Sequence, residues 1–258
     1  MFIKQVPDTN DVKWTQDNNI DRSRMDSIMN PVDKQAIEAA LKLKEQYKVH
    51  TTAVTMGPKN AVAVLKEAIA MGIDDAALLC DPKFAGSDTC ATSKVLAAAI
   101  KEVYPDTQLI LFGQSAIDGE TSQTGPSTAA RLNLPILGHV NEILELNDNE
   151  ITVKTENEFE KASYKMNLPC VICVNNYIYK PEIPKIDGYI RAHEYTYRTY
   201  NLYQLNLKDD ETGVKGSPTY VSKVYKTEEG RKCEIFKTFD NQEYADKVIK
   251  KIKEIAGQ

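Results

Sequence analysis

No apolar run in this sequence approaches the length of a membrane span. Nor is there a basic excess to attract nucleic acid: 32 Lys and Arg stand against 37 Asp and Glu, a formal net charge of −5. Histidine is scarce. His50, His139 and His193 are isolated, with no HExxH or other ligand spacing, which argues against a metal centre. The five cysteines, Cys80, Cys90, Cys170, Cys173 and Cys233, are scattered and odd in number, so they fit reduced thiols rather than a disulfide framework. Cys170 and Cys173 have CxxC spacing but lie in an apolar, strand-like run. Residues three apart on a strand point to opposite faces, which argues against a redox pair or zinc site. No repeat period and no low-complexity tract is visible. The first residues already read as strand, so no signal or transit segment is expected ahead of them. The expected location is cytoplasmic, with a processed organellar protein as the alternative.

What is present suits one large α/β domain, or one domain with an extension: 258 residues, 42% hydrophobic. It is organised around one stretch. Leu109–Phe112 is an apolar run of strand length that stops at Gly113. A polar, glycine-punctuated turn follows: Gln114, Ser115, Ala116, Ile117, Asp118, Gly119, Glu120, Thr121, Ser122, Gln123, Thr124, Gly125 and Pro126. A segment that can be helical comes next. Strand, small-residue loop and helix N-terminus together make an anion site. Unpaired N–H groups point at one spot, and the helix dipole favours negative charge there. Gly113, Gly119 and Gly125 are expected to let backbone approach a ligand or to take positive φ. Ser115, Thr121, Ser122, Gln123 and Thr124 are expected to supply neutral donors. A bare strand–helix turn is the competing reading of the same pattern.

The rest of the chain alternates strand and helix. Phe2–Val6 reads as a first strand ended by Pro7 and Asp8. Residues 10–29 read as a long polar loop holding Arg22 and Arg24, pinned by Trp14, with room for a small hairpin. Asn30, Pro31, Val32 and Asp33 spell a helix start, with Asn30 as N-cap and Pro31 at N1; Ala36, Ile37, Ala40, Leu41 and Leu43 give its apolar face. Strands are expected at Thr51–Met56 and Ala76–Cys80, and helices at Ala61–Met71 and Thr89–Tyr104, the latter capped by Thr89 or Asp88. Such βαβ units imply a mostly parallel sheet with ligands at the carboxyl ends of its strands. After Pro135 four strand-like runs follow, at 136–146, 151–156, 159–167 and 171–174, read as antiparallel additions with a turn at Asn147–Glu150. Seven of the 13 tyrosines lie in Tyr177–Tyr203, a proline-bounded segment suited to partner contact or to packing on its own chain. Asp240–Ala256 reads as a last helix with a Lys-rich, solvated face.

Together these residues resemble the β subunit of electron transfer flavoproteins. The run Gly113–Pro126, with Ala129, Arg131, Leu132 and Pro135 after it, is similar to that family's signature. Ile3–Thr9, Asn30–Asp33 with Glu38–Leu41, Ala70–Asp74, Phe84–Ser93 and Gly216–Thr219 agree with it in the same order, over nearly the whole chain. The resemblance implies a Rossmann-like α/β/α domain with a mostly parallel sheet, antiparallel additions and a C-terminal arm. It implies one half of an αβ heterodimer whose α subunit carries the electron-shuttling flavin. By position, it places adenine-nucleotide contacts on Phe2, Asn30–Asp33, Met56 and Gly113–Thr124. Residues 1–176 would then form the nucleotide- or FAD-binding domain, and residues 177–258 a partner-recognition loop and arm. That loop, Pro184–Ala192, would dock on acyl-CoA dehydrogenases through Ile186, Tyr189 and Ile190, with Ile186 at the anchor position, usually leucine. Two departures stand out. Respiratory relatives carry a lysine cluster after this loop where this chain has His193–Arg198, which argues against a respiratory partner. Few residues precede Lys4, so the chain is expected to begin slightly late in its first strand.

The family splits into a group that holds AMP and only carries electrons, and a group that holds a second FAD and divides the electron pair of NADH between two acceptors. Val54–Pro58 and Gly86–Ser93 resemble the second group. That implies FAD rather than AMP, with Asp88, Thr89, Thr92 and Ser93 turned toward the ring. It also implies NADH as donor, an acyl-CoA dehydrogenase-type partner, and a low-potential carrier such as ferredoxin or flavodoxin. No catalytic side chain is assigned. The rivals are non-redox adenine-nucleotide proteins. An ATP pyrophosphatase would carry a glycine-serine-rich loop where Pro7 and Asp8 stand, and a stress-type ATP-binding module would not need the tyrosine-rich arm.

Overall fold

The computed structural model describes residues 1–8, 27–156, 159–176, 178–220, 222 and 240–257. Trp14, Arg22, Arg24, Tyr177 and Cys233 lie outside the described residues. The chain divides into two compact units, Met1–Val224 and Tyr225–Gln258.

The first unit is built on two groups of strands. β3 (Thr52–Met56), β4 (Asp75–Leu79) and a short β10 (Arg198–Tyr200) run parallel in the order β10-β4-β3. β5 (Leu109–Gly113), β9 (Cys170–Val174), β6 (Ile136–Leu146), β7 (Glu150–Glu156) and β8 (Lys161–Asn167) follow in the order β5-β9-β6-β7-β8. Met1–Ile3 joins the two groups. Phe2 bridges Val54 in parallel, and its N–H donates to the Leu111 carbonyl at 2.9 Å. The expected first strand is therefore split. Its start lies in the main sheet, while β1 (Gln5–Pro7) turns away to pair antiparallel with β2 (Ser27–Met29). Most of the 10–29 segment, where a small hairpin had room, lies outside the described residues.

Helices cover both faces. α1 (Pro31–Tyr47), α2 (Val62–Met71) and α5 (Ile186–Glu194) bury Ala36, Ile37, Leu65, Ile69 and Ala192 in one cluster. α3 (Thr89–Val103) and α4 (Thr124–Leu132) bury Val95, Leu96, Ala99 and Ala129 in another. Cys170 belongs to the first cluster and Cys173 to the second, so they do face opposite ways. Burial pushes their thiols up, to about 11 and about 12. A one-turn α6 (Gly213–Gly216) ends the region, and α7 (Asn241–Ala256), capped by Asp240, forms the second unit's described part. Among the described residues no helix is long and apolar enough to cross a membrane.

Three elements differ from the sequence reading. β9 is parallel to both β5 and β6, so only β7 and β8 are antiparallel additions. Every residue of β9 is buried, as a strand covered on both faces requires. Pro184–Ala192 is largely the helix α5 rather than a loop. The tyrosine-rich segment contributes β10 to the sheet, and Tyr195 donates its hydroxyl to Asp75, so part of it packs on its own chain.

Candidate functional site

The parallel strands end on one edge, where the segments before α1, α3 and α4 meet. Neither α1 nor α4 has a side-chain cap: Asn30 and Gln123 hold the N-cap positions, but their side chains bond none of the first-turn amides. Pro31 and Pro126 remove one N–H from each first turn. Among the described residues the Val32, Thr124 and Gly125 amides have no hydrogen-bond acceptor, as expected of N–H groups at a helix start.

Asn30 was expected to be a cap. It is instead a clamp, and it is buried. Its amide donates to the Ser115 carbonyl at 2.9 Å and accepts from the Ile117 N–H at 3.3 Å, tying the glycine loop to the start of α1. Asp33 is also turned inward. It accepts from the Lys4 N–H at 2.8 Å, and burial pushes its carboxyl up to about 7 against the pull of the Lys4, Asn30 and Gly113 donors. Lys4 closes the ring through its ammonium, 2.7 Å from Asp118. Asp118 is thereby neutralised, and Glu120 stays exposed. Lys4 stood in a matched motif without a role. Nothing local in the sequence pairs it with a residue 114 positions away.

The three glycines of the stretch separate by function. A Cβ at Gly113 would stand 2.8 Å from the Val32 carbonyl carbon, and one at Gly125 would stand 2.6 Å from the Cys173 sulfur. Both glycines are therefore packing requirements. A Cβ at Gly119 meets nothing within 4 Å. None of the three takes positive φ. The left-handed residues of the loop are Glu120 and Ser122, at φ 49 and 53. The turn is drawn tight by Gly119 and Glu120 N–H groups donating to the Ala116 carbonyl. Among the described residues, Thr121, Ser122 and Gln123 make no backbone bond through their N–H groups. Gln114 points its amide oxygen at the His139 N–H, 2.7 Å away, and so braces β6.

At the α3 end, Asp88 caps the Ala91 N–H and accepts from both the N–H and the hydroxyl of Thr219. Burial pulls its carboxyl up, but these donors outweigh it and hold it below the ordinary range. Asp88 thus fastens the Gly216–Thr219 motif to this edge. The Thr89 hydroxyl donates to the Gln123 side chain at 3.0 Å, linking the α3 and α4 starts, and Thr92 is partly exposed. Ser93 does not face outward. It is fully buried and accepts from Arg131 at 2.9 Å. Arg131, a second residue without an assigned role, also reaches the Cys90 carbonyl and sulfur. Met56 is partly buried at the β3 end. Phe2 is in the core, stacked on Phe112 at 5.1 Å.

Ile186, Tyr189 and Ile190 lie on the outer face of α5, at 78%, 56% and 52% exposure. Their helix is fixed from beneath. A Cβ at Gly188 would stand 2.1 Å from the Ala70 carbonyl oxygen, and the Arg191 guanidinium donates to the Ile69 and Ile73 carbonyls at the end of α2.

The profile of the electron transfer flavoprotein domain matches residues 17–194. The chain is 36% identical over 259 residues to an electron transfer flavoprotein subunit beta of Megasphaera elsdenii, covering 97% of this chain and 96% of the relative. It is 35% identical over 253 residues to the caffeyl-CoA reductase-Etf complex subunit CarD of Acetobacterium woodii, with the same coverage of 97% and 96%. It is 36% identical over 230 residues to the acryloyl-CoA reductase electron transfer subunit gamma of Anaerotignum propionicum, covering 86% of each.

Proposed function

This chain belongs to the electron transfer flavoprotein family, and from that membership we propose that it is the β subunit of a cytoplasmic heterodimer that binds FAD at the strand-end edge. NADH is its electron donor. Its acceptors are an acyl-CoA dehydrogenase-type partner and a low-potential carrier such as ferredoxin or flavodoxin. The names of the two reductase-complex relatives support a partner that handles a CoA ester.

The observation that carries the reading is the pair of uncapped helix starts, α1 and α4, with the 113–124 loop clamped between them by Asn30 and by the Lys4–Asp118 pair. Each helix start is worth ~0.3–2 kcal/mol to an anion. These residues fit a phosphate-bearing adenine group. Asp118 is paired with the Lys4 ammonium, and burial pushes the Asp33 carboxyl up to about 7, so that about half of it is uncharged at neutral pH. The Val32, Thr124 and Gly125 amides would hold phosphate, with Thr121 and Ser122 beside them. When bound, FAD supplies the electron-carrying chemistry, while the chain binds, orients and shields it from water.

A second reading, AMP at the same edge, has its own observation. Asp88, Thr89 and Ser93 all spend their side chains inside the chain, which leaves Thr92 as the motif's outward hydroxyl. Denaturing the purified heterodimer and counting released cofactors separates the two. Two FAD and no AMP per complex is the expected result. One of each would leave a simple electron carrier.

A further inference from the structure

Asp33 is a buried acid in the first turn of α1, only 6% exposed. Just before β1, the Lys4 N–H donates to its Oδ2 at 2.8 Å. The Asn30 amide on α1 and the Gly113 N–H at the end of β5 are further donors. A Cβ at Gly113 would stand 2.5 Å from its Oδ1, so the carboxyl lies directly against the start of the 113–124 loop. These three donors are neutral. On β9 the carboxyl faces the Cys173 thiol, which burial pushes up to about 12 and so keeps uncharged. The Lys4 ammonium faces it too, but that cation is already 2.7 Å from Asp118.

Two anions therefore compete for one helix end. The first-turn amides and the dipole of α1 favour a single negative charge there. A phosphate held by the Val32 amide would sit one residue from Asp33 on the same turn. Like charges in a shared, poorly solvated site do not both stay ionised, and the weaker acid takes the proton. A nucleotide pyrophosphate is the stronger acid, so the carboxyl is the group that changes. We propose that Asp33 is a proton partner of the nucleotide: it takes a proton from solvent as phosphate docks on the α1 start and returns it as phosphate leaves. This rests on the phosphate placement given above. Burial leaves the free site poised for the exchange, with the carboxyl pushed up to about 7. Linkage is reciprocal, so the nucleotide binds more tightly as pH falls through the neutral range.

Calorimetric titration of the full heterodimer, freed of its cofactors, tests this. Runs in two buffers of different ionisation heat count the protons taken up per bound ligand. FAD is the titrant in one arm and AMP in the other, each against the parent and Asp33→Asn. Subtracting the variant cancels the flavin bound by the α subunit and the titration of AMP's own phosphate. At pH 7 the parent is expected to take up ~0.4 proton more per β-site ligand than the variant. From pH 6 to pH 9 the parent should lose about tenfold in affinity, a loss the variant does not share. Equal proton counts in parent and variant overturn the inference and leave the phosphate placement standing. If neither titrant binds beyond the flavin of the α subunit, the placement fails and the inference with it. Should Asp33→Asn not fold, the parent decides alone: a β-site affinity for FAD that is flat from pH 6 to pH 9 overturns the inference.

Discussion

An added methyl at Gly113 meets the backbone of α1, whereas one at Gly119 meets nothing. Gly113→Ala should therefore lose ~1–3 kcal/mol of stability from overpacking, because the atoms it strikes are main chain. Gly119→Val should stay within ~0.5 kcal/mol of the parent in stability yet lose its nucleotide. Thermal midpoints and the nucleotide copurified with the heterodimer read the two effects apart, and full retention in Gly119→Val would refute the phosphate placement. Asp33 gives the site a pH signature. Its folded carboxyl titrates at about 7 against 3.8 in the unfolded chain, so between these values the folded state holds more protons. The stability contributed by Asp33 is full below about 3.8 and is lost as pH rises toward about 7. Asp33→Asn should remove the decline between about pH 4 and pH 7. Urea unfolding across that range checks it, and an unchanged slope in the variant would contradict the assignment.

At the scale of elements, local signals were readable and distant ones were not. Asn30-Pro31, Asp88 and Asp240 each mark a helix start, and all three helices begin there. Yet Asn30 spends its side chain on Ser115 and Ile117, more than eighty positions away, and no helix-start pattern encodes that choice. β9 shows the same limit: its apolar run spelled a strand, but its neighbours β5 and β6 come from elsewhere in the chain. The resemblance implies a loop at Pro184–Ala192, but most of it folds as α5. Gly188 is the point where α5 lies against the Ala70 carbonyl. Gly188→Ala should push α5 off α2 and lower the midpoint by several degrees, ~1–3 kcal/mol. Ile186→Ala should leave the midpoint unchanged, since the side chain is 78% exposed. In the heterodimer it should slow electron transfer to an acyl-CoA dehydrogenase about tenfold or more, the scale of one buried aliphatic contact. Stopped-flow rates equal to the parent would remove Ile186 from the docking surface.

At the scale of the molecule, one short segment spans the break between two groups of strands. Met1–Ile3 bonds both β3 and β5, with Phe2 stacked on Phe112. Phe2→Ala should cost ~3–5 kcal/mol and loosen both halves together, visible as one cooperative transition at lower temperature. Two separated transitions would mean the halves do not depend on the seam. The seam also sets an order of assembly. The Met1–Ile3 segment has one partner about fifty positions on, at Thr52, and the other beyond a hundred, at Leu111. Until both partners are made it is an unpaired apolar strand, and closure of the sheet waits on contacts of long sequence separation. This segment, rather than the helices with their local contacts, is the part that most needs shielding from other strands while the chain folds.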